Sequence, residues 1–189
     1  MKNTEQYDLL AIQESMRDGD YEPLGEFLET IENFGGEIIF TKDGVVILKT
    51  ILSIAKDYLM SKKECEPRKL EIIGMLIGET VKFVDCQSFS KSLLKVMSGE
   101  QDQPTASSLN ETMRIKEGPN EESAKAVVRL VSLSASGVIV TTPQSRVTIV
   151  ETLIRENRIS STDAISAIIN SDFVTDSTLS QTIHLPTYP

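Results

Sequence analysis

Residues 43–62 read DGVVILKTILSIAKDYLMSK. Val46, Ile47, Ile51, Ile54, Ala55, Tyr58 and Leu59 recur there at helical spacing, which predicts one long helix opened by Asp43, with a broad apolar face that meets neighbours on two sides. Lys49, Lys56 and Asp57 interrupt the apolar run. No window of the chain approaches the roughly 18 apolar residues that a bilayer-spanning helix needs. A helix this long and this apolar requires other helices around it. The expected fold is therefore all-α, as a helical bundle or a short stack of helical hairpins, with one or two short strands at Ile38 and Val138.

Outward from this helix, the same spacing rule predicts most of the rest. Towards the N-terminus, residues 4–18 read as a helix capped by Thr4, with Leu9, Leu10, Ile12 and Met16 in its stripe. Asp18-Gly19-Asp20 makes a turn, and Pro23 sits in the first turn of a helix carrying Leu24, Phe27, Leu28, Ile31 and Phe34. Gly35-Gly36 stops that helix, and EIIFT at 37–41 reads as a short strand or buried connector. Towards the C-terminus, helices are expected at 68–84, 88–97, 108–116, 121–133, 145–157 and 160–170. Ser108 with Glu111 and Ser160 with Asp163 have capping-box spacing. GVIVTT at 137–142 is strand-like. The Gly, Pro, Gln and Ser content after residue 98 marks a loop. These signals divide the chain into an N-terminal helical region 1–98, a linker 99–108, a C-terminal helical region 109–170 and a flexible tail 171–189.

One internal echo stands out. Ile38-Ile39-Phe40-Thr41 lines up with Val138-Ile139-Val140-Thr141, and Ile47 to Leu52 lines up with Ile149 to Ile154. Each copy reads as helix, apolar connector, helix. Any two amphipathic hairpins rich in β-branched residues align this well, and so do stacked repeats that bury their faces only against neighbours. In apolar spacing the pattern resembles armadillo or HEAT-type hairpins, a resemblance that implies a short solenoid presenting helical faces.

Composition removes whole classes of chemistry. The single histidine, His184, lies near the C-terminus, so a His-activated serine or cysteine nucleophile is not expected. Cys65 and Cys86 lack the closely spaced partners of a zinc site. Asp18-Gly19-Asp20 is too short for a calcium loop, and the ten glycines make no phosphate-cradling spacing. No metal, no cofactor and no catalytic residue is expected. The first twenty residues hold acids and no apolar core of a secretory signal. Both thiols are therefore expected to be reduced, in a cytosolic or nuclear setting, and the Asn110 sequon reads as a chance match.

The net charge of −9 is unevenly spread. Residues 1–40 hold ten acids against two bases, residues 41–118 hold eleven against twelve, and residues 119–189 hold seven against five. The acidic end carries Glu22, Glu26, Glu29 and Glu32 on one helix, a surface suited to a basic partner. Lys62, Lys63, Arg68 and Lys69 form the basic cluster, with Tyr58 close by in sequence, and give the alternative of a nucleic-acid contact. Gly74 and Gly78 stand four apart, a spacing that admits a close helix neighbour or a homo-oligomer seam. Leu185, Pro186, Tyr188 and Pro189 make an extended motif that a partner's groove can take. The expected role is a non-enzymatic protein-interaction module, an adaptor or regulator. The alternative is a helical nucleic-acid-associated accessory factor using the basic turn.

Overall fold

Eight α-helices hold most of the described residues: α1 (Leu9–Arg17), α2 (Glu22–Phe34), α3 (Lys42–Ser61), α4 (Pro67–Thr80), α5 (Cys86–Ser98), α6 (Glu121–Ala135), α7 (Pro143–Arg155) and α8 (Ser161–Ile169). A 3-10 turn, Val81–Phe83, follows α4. The structure is a computed structural model and describes residues 2–3, 8–34, 38–61, 64–98 and 121–175. The fold is all-α. The strands among the described residues are two residues long: β1 (Lys2–Asn3) pairs in parallel with β2 (Ile38–Ile39). The expected helix at 108–116, with its Ser108–Glu111 box, lies outside the described residues, as do the Thr4 cap and the Gly35-Gly36 stop.

Contacts divide the chain into two units, Met1–Met75 with Phe173–Pro189, and Leu76–Asp172. The division falls inside α4, and the expected linker 99–108 lies outside the described residues.

In the first unit α1 packs on α2 and α3. α1 is capped by Asp8, whose side chain accepts the Ala11 N–H at 2.9 Å. Its buried stripe is Leu9, Ile12 and Met16, while Leu10 is exposed. α3 begins one residue earlier than its acidic residue suggested, at Lys42, because Thr41 accepts the Gly44 N–H at 2.9 Å. Its buried face is Gly44, Leu48, Ile51, Leu52 and Ala55. That face is narrower than expected and rotated: Val46 is exposed, and Ile47, Ile54, Tyr58 and Leu59 are half-buried. Residues 171–175, expected to open a flexible tail, are packed instead. Thr175 forms a parallel bridge with Phe40, and the buried Phe173 ring meets Phe40 edge-on at 6.2 Å. Burying two aromatic rings against one another outweighs the polar composition around them.

In the second unit α5 packs on α6 and α8, α6 on α7, and α7 on the 3-10 turn. Phe89, Leu93, Val128, Val131, Leu153, Ile165 and Ile168 make its core. α5 starts two residues early because Asp85 accepts the Ser88 N–H at 2.9 Å. The α8 capping box has the spacing read from sequence, with Ser160 N–H on Asp163 at 2.9 Å and Asp163 N–H on Ser160 at 3.1 Å. α6 ends at Ala135, and Gly137 in the turn after it has a φ of +81°, which suits a residue without Cβ. The strand expected at Val138 does not form. Residues 138–142 run as an extended connector into α7, which opens with Thr142 as its cap and Pro143 in its first turn.

Candidate functional site

Two of the sites expected from sequence meet each other in the first unit. Arg68, from the basic turn, makes a two-pronged pair with Glu22 of α2, at 2.8 Å from Nε and 3.0 Å from Nη2. Its Nη1 reaches Glu71 at 3.0 Å. The hydrogen bonds from Arg68 hold the Glu22 carboxyl below its ordinary value. Lys69 pairs with Glu66 at 2.6 Å and lies over two rings, 5.2 Å from Tyr21 and 5.1 Å from Tyr58. Its side chain is only 18% exposed. The Tyr58 hydroxyl accepts the Glu66 N–H at 2.8 Å, which sets the carboxylate beside the ammonium. Burial, with Tyr58 and Cys65 adding to it, pushes the Tyr21 phenol up to about 12. Arg68 and Lys69 are thus committed to their own chain. Glu26, Glu29 and Glu32 stay exposed on α2.

The remaining expected sites fare differently. Lys62 and Lys63 lie outside the described residues, and so do His184, Leu185, Pro186, Tyr188 and Pro189. A Cβ added at Gly74 or Gly78 meets nothing within 4 Å, so the close internal packing that their spacing admits is not made there.

A groove that the sequence reading did not anticipate lies in the second unit. It encloses about 580 Å³ and is lined by Val127 and Leu130 of α6, residues 139–142 of the connector, and Gln144, Ser145, Thr148 and Ile149 of α7. None of these ten residues is charged. Leu130 is 43% exposed, Val138 68% and Val140 84%. Large apolar side chains left open side by side are unusual on a folded surface.

The groove wall is held from beneath. Arg146 of α7 is buried, and it donates from Nη1 to the Thr141 carbonyl at 2.6 Å, from Nε to the Val81 carbonyl at 3.1 Å and from Nη2 to the Lys82 carbonyl at 3.1 Å. Burial lowers the guanidinium from its ordinary value, although the nearby Cys86 and Asp85 oppose that shift. On the same residue, Cys86 accepts the Thr141 N–H at 3.1 Å and contacts the hydroxyls of Thr141 at 3.1 Å and Ser134 at 2.9 Å. Burial alone would raise the Cys86 thiol. The hydrogen bonds from Ser134 and Thr141 and the charge of Arg146 outweigh it, so the thiol sits below its ordinary value. Clamped at Thr141, the connector turns Val138 and Val140 outward and Thr141 inward, the two-residue alternation of an extended chain.

The lining of the groove is uncharged, and its side chains are chiefly apolar groups and hydroxyls. Among the described residues no cluster of three or more His, Cys, Asp or Glu is placed to hold a metal ion. The hydroxyls on the α7 side are spent locally: Thr142 donates to Ser145 at 2.8 Å and Thr148 donates to the Gln144 carbonyl at 3.1 Å. In sequence, the groove's wall is the strand-like run 137–142, for which the local pattern offers no pairing strand. No family model, no curated protein and no solved structure matches this chain.

Proposed function

We propose that the chain is a non-enzymatic protein-interaction module, an adaptor or regulator, that seats an apolar segment of a partner in the groove between α6 and α7. One observation carries the reading: a groove of about 580 Å³ without a charged lining residue, its wall fixed by a buried arginine and flanked by exposed Val138 and Val140. Interface centres are depleted in charge, and wall residues held in place lose little entropy when a partner binds. Glu26, Glu29 and Glu32 belong to the other unit and support a separate contact there, with a basic partner. The engagement of Arg68 by Glu22 and Glu71, and of Lys69 by Glu66, weighs against a nucleic-acid contact at the basic turn. A cytosolic or nuclear location goes with this role. Among the described residues no helix is long and apolar enough to cross a membrane.

Photocrosslinking from position 140 tests the reading. A benzophenone side chain there is expected to capture a discrete protein, and Leu130→Lys is expected to abolish the capture. Absence of a discrete product, or one indifferent to Leu130→Lys, contradicts it.

A further inference from the structure

We infer that the occupant of the groove is a second copy of this chain, docked about a two-fold axis with the two 138–142 connectors antiparallel. This inference rests on the interaction reading above and names its partner.

A two-fold interface uses the same patch twice, so one face must carry both the protruding group and the recess that receives it. Val140 meets both conditions, since it is the most exposed apolar residue named here and also lines the groove. Val138 protrudes beside it, and Leu130 and Ile149 form the recess.

The backbone fits the same arrangement. The Val138 and Ile139 N–H groups are spent on the Leu133 carbonyl at 2.9 and 3.4 Å, and the Thr141 N–H on Cys86. Among the described residues, nothing hydrogen-bonds the N–H or C=O of Val140. In an antiparallel pair, residues directly opposite one another exchange both of these bonds, so two Val140 residues on the axis satisfy each other. An extended apolar edge left open invites this pairing.

Charge selects the same partner. Two chains of net −9 repel unless they meet where charge is least. The acidic excess lies in residues 1–40, whereas the lining residues of the groove are all neutral. A strongly basic partner finds nothing in the groove to pair with, and a neutral self-docking face meets no like charge.

Sedimentation velocity on the full chain, up to about 0.1 mM at physiological ionic strength, provides the test. The wild type is expected to shift from monomer to dimer as concentration rises. Val140→Lys places two ammonium groups at the axis and is expected to weaken dimerisation at least tenfold, with the thermal midpoint of the dilute monomer unchanged because the position is exposed. Val140→Pro keeps an apolar residue but removes the N–H, and is expected to weaken the dimer as well. A monomer at every concentration overturns the inference, as does a dimer indifferent to both variants. If the wild type stays monomeric while the crosslink from position 140 still captures another protein, self-docking fails and the interaction reading stands. If neither is seen, both fail.

Discussion

Residues 38–41 and 138–142 begin as near-copies and end as opposites. Each is a short run of β-branched residues leading into a helix through a threonine cap. Thr41 accepts the Gly44 N–H at 2.9 Å, and Thr142 accepts the Ser145 N–H at 3.1 Å. Counted from those caps, four buried positions coincide, Leu48 with Ile149, Ile51 with Thr152, Leu52 with Leu153 and Ala55 with Glu156, whereas Val147 is buried and its counterpart Val46 exposed. That register is one residue away from the sequence alignment, which had set Ile47 against Ile149. The shared pattern is thus the periodicity of a packed helix rather than a copied surface. The connectors themselves diverge. Ile38 and Ile39 pair with β1 and Phe40 meets Thr175 and the Phe173 ring, all three being buried. Val138 and Val140 instead face outward, and the second run is held by the Leu133 carbonyl and at Thr141. Composition makes both stretches extended. Partners distant in sequence decide which of them is covered.

The largest way to break this contrast is at the ring. Phe40→Ala leaves a cavity at a fully buried site and is expected to cost about 3–5 kcal/mol, whereas Val140→Ala is expected to stay within about 0.5 kcal/mol. Denaturant unfolding measures both, and similar losses would erase the difference between the connectors. Next comes the clamp. Arg146→Met strips donors from the Thr141, Val81 and Lys82 carbonyls and is expected to cost about 2–4 kcal/mol. Amide exchange at 138–142 is expected to speed up with it, and an unchanged exchange pattern would show that the clamp does not hold the connector. The shared feature predicts a matched pair: Thr41→Ala and Thr142→Ala are each expected to lose about 1 kcal/mol, read from thermal midpoints.

The smallest effect is on pH dependence. With its thiol held below the ordinary value, Cys86 binds fewer protons folded than unfolded. Stability is therefore expected to rise with pH between the lowered folded value and the ordinary thiol range, and to be lost as pH falls through the folded value. Cys86→Ser is expected to flatten that slope in pH-dependent melting curves. A slope unchanged in the variant would remove the thiol from the account.

What the sequence made legible follows a distance rule. Helices and their starts depend on groups within about four residues of each other, so residues 43–62 disclosed the fold class and Ser160 with Asp163 disclosed the start of α8. The inward face of α3 was harder, because its neighbours rather than its own spacing choose Leu48 and Leu52 over Val46 and Tyr58. Glu22 and Arg68 looked like two separate surfaces until the fold paired them across 46 positions. Phe173 looked like the start of a tail until it met Phe40. The groove was least legible of all, since its signal was the absence of any partner for a run that reads as a strand.

The central claim is that residues 138–142 are open in one chain and closed by a second copy. Amide exchange at Val140 and Ile39, followed while protein concentration rises, tests it most directly. Val140 is expected to exchange fast in dilute solution and to slow as concentration increases, while Ile39 stays protected throughout. A Val140 amide already protected in dilute solution, or one whose rate ignores concentration, would contradict it.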